Sequence, residues 1–121
     1  VSRHRVVVDI AGGTNPTWTT TLDELSVLQQ ELATEGLEIH VLVHSRAWPL
    51  VAWNQMSSSS EIHLQAEALA RRGVRFVLCE NTMHGANLRK RDLLPFVKTV
   101  PSAIGELVKK QTDGWAYVRR D

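Results

Sequence analysis

Cys79 is the only cysteine of the 121-residue chain, and it closes the apolar run "FVLC" immediately before Glu80, Asn81 and Thr82. A thiol does chemistry as its thiolate. A cysteine directly before a helix feels the partial positive charge of unpaired N–H groups there, which favours the anion. Asn81 or Thr82 can cap such a helix. His44 and His84 could add positive charge, whereas Glu80 opposes it. The residues alone also allow a plainer role, because free cysteine is among the most buried residue types and often packs as a small hydrophobe.

Other chemistries fit less well. The histidines stand at 4, 40, 44, 63 and 84. His40 and His44 share one face of a strand but lie ~13 Å apart at the ordinary rise, too far for one metal. There is neither a HExxH pattern nor a carboxylate pair at a recognisable spacing, so no metal and no cofactor is expected. The segment "AGGTNPTWTT", residues 11–20, follows the first strand, where a phosphate-binding loop would stand. It lacks the Gly-x-x-x-x-Gly-Lys pattern, and Pro16 and Trp18 interrupt it, so it reads as a surface loop. The third strand ends in Cys79 rather than an aspartate acceptor.

Composition limits the machinery. With 43% hydrophobic and 22% charged residues, residues 1–121 make one α/β domain with a real core. The formal net charge of +1 argues against a nucleic-acid or membrane surface, and the short cluster Arg89-Lys90-Arg91 reads as a solvated face. A single cysteine excludes an intrachain disulfide framework and suits a reducing compartment, so a cytoplasmic setting is expected. The chain begins at Val1, which leaves room for a removed leader.

The elements that must position these side chains follow from periodicity. "RVVVDI" (5–10) is a strand buried on both faces, and "EIHVLVH" (38–44) is a second. Between them Thr21 and Glu24 form a capping box, with Leu22, Leu25, Leu28 and Leu32 at helical spacing up to Gly36. "AWPLVAWNQMSSSS" is an irregular connection with a short helix near Leu50–Trp53. Ser58 and Glu61 form a second box before a helix ending at Gly73. Residues 74–78 and 96–100 are further strands. Pro101 and Ser102 open a helix with Ile104, Leu107 and Val108 on one face, and residues 115–119 are the last strand. Strands alternating with helices require crossovers, hence a three-layer α/β/α fold of flavodoxin-like architecture with a largely parallel five-stranded sheet. Sites gather at the carboxyl ends of such strands, where Asp9, His44 and Cys79 would share one rim.

The stretch from Phe76 to Asp121, with "IHVLVHSRA" upstream, resembles the DsrE/DsrF-like family. The similarity is clearest over residues 37–121, in the Cys79-Glu-Asn-Thr-Met segment, the Val100-Pro-Ser segment leading to Gly105-Glu-Leu, and Gln111 through Gly114-Trp-Ala-Tyr. The resemblance implies the strand order 4-3-2-1-5, a homotrimer or homohexamer, and a sulfur relay in which Cys79 holds sulfane sulfur as a persulfide. In that order His44 neighbours Cys79, so Cys79 and His44 are the expected catalytic pair, with Asn81, Thr82 and His84 as substrate-binding residues. Without a second cysteine, donor and acceptor thiols must come from partner proteins. Partial access to Cys79 is expected with this role. The rival reading is a non-catalytic oligomeric module for ligand binding or assembly, consistent with Trp48, Trp53 and Trp115.

Overall fold

The computed structural model describes residues 3–53 and 60–121. Its strands are β1 (His4–Ile10), β2 (Leu37–Val43), β3 (Arg75–Cys79), β4 (Lys98–Val100) and β5 (Ala116–Arg120). They form one sheet in the order β4-β3-β2-β1-β5 with every pair parallel, as the resemblance implies. Parallel neighbours need crossovers, supplied by α1 (Asn15–Glu31), α2 (Ser60–Arg71), α3 (Glu80–Gly85) and α4 (Ala103–Thr112).

The period-two alternation of each strand sorts the core into two unequal halves. Val8, Ile10, Val41, Val43, Phe76 and Leu78 belong to the larger half, together with Leu22 and Leu25 of α1 and Ile62, Ala66 and Leu69 of α2. Fully burying each of the larger side chains stabilises the fold by about 1.5–3 kcal/mol. On the other face Val7, Leu42 and Val77 meet Ala103 and Leu107 of α4, with Val100 and Trp115 beside them. Two long helices thus cover one face and a single ten-residue helix the other. Among the described residues no helix is long and apolar enough to cross a membrane.

Several element boundaries differ from the sequence reading. Helix α1 starts at Asn15, well before the expected box at Thr21. Thr14 is its extended N-cap residue, and the Thr14 N–H donates to Thr17 Oγ1 at 2.8 Å. Pro16 sits in the first turn, where a missing N–H costs no helical hydrogen bond. Thr21 is instead buried inside the helix, its hydroxyl donating to the Thr17 carbonyl. The expected loop over 11–20 is therefore mostly helix. Trp18 is buried and its indole N–H donates to the Gly12 carbonyl at 2.9 Å. A Cβ at Gly13, where φ is +102°, would lie 2.5 Å from Thr17 Oγ1 and 2.9 Å from Trp18 Nε1.

The expected short helix near Leu50–Trp53 lies earlier, as a 3₁₀ turn over Ser45–Leu50, because Ala52 is taken up by an antiparallel bridge to Leu93. The expected fourth strand shortens to Lys98–Val100. Val97 still closes a turn onto the Leu94 carbonyl, and Phe96 packs edge-on against Phe76. Ser102 caps α4 as expected, its Oγ accepting from Gly105 N at 3.0 Å. On that helix Ile104 and Val108 are 75% and 59% exposed. The 103/107 stripe faces the sheet, so the stripe one residue further round points away. The expected box at Ser58 and most of the serine run lie outside the described residues.

Candidate functional site

Register brings the carboxyl ends of β1, β2 and β3 together. Val43 pairs with Leu78, so His44, just past the end of β2, stands beside Cys79, the last residue of β3. His44 continues the extended backbone of β2 (φ −156°, ψ 177°), so alternation places it with Leu42 on the α4 face, where Val77 and Cys79 also lie. Asp9 shares that face with Val7, and Arg119 is its partner on β5.

The His44 ring is held at both nitrogens. Nε2 lies 2.7 Å from Asp9 Oδ1, and Nδ1 lies 3.1 Å from Ser45 Oγ. A carboxylate only accepts, so in the neutral ring Nε2 carries the proton and Nδ1 accepts from the Ser45 hydroxyl. Asp9 is buried, and a buried carboxylate is retained only when its oxygens are satisfied. Its Oδ2 accepts from the Tyr117 phenol at 2.6 Å, and Arg119 Nη1 stands 3.6 Å from the same oxygen. The hydrogen bond to Asp9, followed by desolvation, pushes the Tyr117 phenol above its ordinary range, so it remains a donor.

Cys79 departs from expectation. It is 5% exposed rather than partly accessible. By alternation its side chain lies on the α4 face of the sheet, its backbone pairs with Val100, and α3 begins at the next residue. Helix α3 has only six residues, with Glu80 in its first turn, which limits the positive field at the thiol. Glu80 Oε2 accepts from the Thr99 hydroxyl at 2.9 Å. Both nitrogens of the His44 ring are committed to Asp9 and Ser45, so the expected direct assistance to the thiol is not set up in this geometry.

Of the expected substrate-binding residues, Thr82 joins the rim, but through the 3₁₀ turn that follows β2 rather than through Cys79: its Oγ1 accepts from the Ser45 N–H at 2.8 Å. Asn81 and His84 are exposed on α3. Ser45, Arg46, Trp48, Thr82, Gly85 and Ala86 line an open groove of about 270 Å³. The sequence reading named Asp9 at the rim but missed Ser45, Tyr117 and Arg119. The strand order 4-3-2-1-5 contained a signal for Tyr117 and Arg119, because placing β5 beside β1 brings alternate β5 residues onto the face of Asp9.

Comparison with known proteins agrees with this architecture. A family model described as DsrE/DsrF-like matches residues 8–119. No curated protein matches the chain. Among solved structures, the protein of unknown function MTH1491 from Methanobacterium thermoautotrophicum superposes with a TM-score of 0.83 at 30% identity, over 96% of this chain and 98% of that one. The ychN protein from E. coli has the same fold, with a TM-score of 0.73 at 17% identity over 95% of this chain and 98% of its own. With the matched region running from β1 through β5, the chain belongs to the DsrE/DsrF-like family.

Proposed function

We propose that the protein is a sulfur carrier in which Cys79 accepts sulfane sulfur and passes it on. The observation that supports this most is the position of the single cysteine of a DsrE/DsrF-like chain, at the carboxyl end of β3 on the rung beside His44. The Cys79 thiolate attacks the outer sulfur of a donor R–S–SH. The donor S–S bond breaks as the new one forms, R–S⁻ leaves and takes up a proton, and Cys79 holds Cys–S–SH with no net oxidation. His44 stands on the neighbouring strand with its ring held by Asp9 and Ser45, so the exchange proceeds on the Cys79 thiolate itself. Discharge reverses the step onto an acceptor thiol from outside the chain. With 5% exposure at Cys79, direct loading favours a small donor over a folded partner reaching in.

The same burial favours a second reading, a non-catalytic assembly module of this fold in which Cys79 is packing. Native-state alkylation separates the two. Iodoacetamide followed by peptide mapping should modify Cys79 in the folded protein within minutes under the carrier reading. Modification only after unfolding would support the packing role.

In either reading the subunits associate as a trimer or hexamer. The thin α4 layer and the outward-facing Ile104 and Val108 leave apolar surface for association to cover.

A further inference from the structure

We propose that Ser45, His44 and Asp9 form a nucleophilic relay that hydrolyses small activated acyl esters, a capability separate from Cys79. The three side chains stand in the order such chemistry needs. Ser45 Oγ is 3.1 Å from His44 Nδ1, and His44 Nε2 is 2.7 Å from Asp9 Oδ1. Asp9 acts as a positioning residue: it is buried and held by the Tyr117 phenol at 2.6 Å, which fixes the tautomer with Nδ1 free to take the serine proton.

The nucleophile is presented rather than packed. Ser45 is exposed and has φ +55°, a left-handed conformation that disfavours residues with a side chain. Backbone strain of this kind concentrates where a side chain must be aimed. Ser45 also opens onto the 270 Å³ groove, where Trp48 offers an apolar wall for the acyl group. Arg46 and Thr82 line the same groove, and both side chains carry hydrogen-bond donors of the kind a developing oxyanion needs.

In the reaction, Ser45 Oγ bonds to the acyl carbon while its proton passes to His44 Nδ1, and Asp9 stabilises the resulting imidazolium. The bond to the leaving alcohol breaks, and that alcohol takes the proton from Nδ1. Water then attacks the acyl-serine, giving its proton to Nδ1, and Ser45 leaves with that proton as the carboxylic acid departs.

The test combines a fluorophosphonate probe, mapped by peptide mass spectrometry, with hydrolysis of p-nitrophenyl acetate by the full chain. The relay gives a covalent adduct at Ser45 and a hydrolysis rate that falls by about 100-fold or more in Ser45→Gly and in His44→Gln. Glycine suits the positive φ, so Ser45→Gly should keep or raise the thermal midpoint while losing the activity. Ser45→Ala gives a second reading of the same loss. Asp9→Asn should lower kcat with KM unchanged, which a general loss of folded protein would also do, so its rate is normalised to the folded fraction measured by circular dichroism. No adduct at Ser45, or unchanged hydrolysis in a folded Ser45→Gly, overturns the proposal.

Discussion

At the scale of residues, Asp9 and His40, both buried polar residues on strands, lie on the face that carries the candidate site. His40 is buried on the same face as Leu42, with its ring 4.5 Å from that of Trp115 and its Nε2 3.0 Å from Glu38. Burial first, and then the Lys110 charge, hold it below the ordinary imidazole range; Arg75 adds to this and Glu38 opposes it. As pH falls, the unfolded chain therefore takes up this proton before the folded one does. The associated stability is complete above the unfolded value of about 6.5 and is lost as pH falls through the lower folded value. Urea denaturation of wild type between pH 7.5 and pH 5 should show a falling midpoint, and His40→Gln should flatten that slope. Equal slopes in the two proteins would remove His40 as the source. Cys79 and His44 were legible as rim residues because strand ends can be read from apolar runs. The direction of the His44 ring was not, because it depends on Asp9 and Tyr117, 35 and 73 residues away in sequence by their numbering.

At the scale of elements, what a local pattern could decide was mostly readable. β1, β2, β3 and β5 lie within one residue of their apolar runs, and Ser102 caps α4 as its position after Pro101 implied. Replacing Ser102 with alanine removes the acceptor for Gly105 N and should cost about 1 kcal/mol in a denaturant titration. A change below ~0.3 kcal/mol would mean that solvent serves that N–H equally well. Misreadings arose where two local signals competed. Pro16 looked like a break, but in a first turn it is a starter, and α1 consequently begins seven residues before Leu22. On α4, Ile104, Leu107 and Val108 satisfied helical spacing as a trio, yet only the stripe of Ala103 and Leu107 meets the sheet. Periodicity identifies an apolar stripe without showing where its edge meets the neighbouring layer.

At the scale of the whole molecule, the two faces of the sheet are unequally covered. Fold class and strand order were readable because alternating strands and helices admit few topologies, and the family resemblance selected among them. The access of Cys79 was not, since it depends on how closely α4 and β4 approach the end of β3. The thin α4 side, with Ile104 and Val108 outward, leads to an expected trimer or hexamer by light scattering at micromolar concentration. Ile104→Asp together with Val108→Asp should shift that distribution towards monomer. A wild-type monomer at that concentration would contradict the association.

The carrier role of Cys79 is tested most directly by intact-mass spectrometry of the native protein after incubation with a low-molecular-weight persulfide, followed by addition of an acceptor thiol. The account predicts a gain of one sulfur atom per chain in wild type, none in Cys79→Ser, and loss of that sulfur when the acceptor is added. No gain in wild type, or an equal gain in Cys79→Ser, would contradict it.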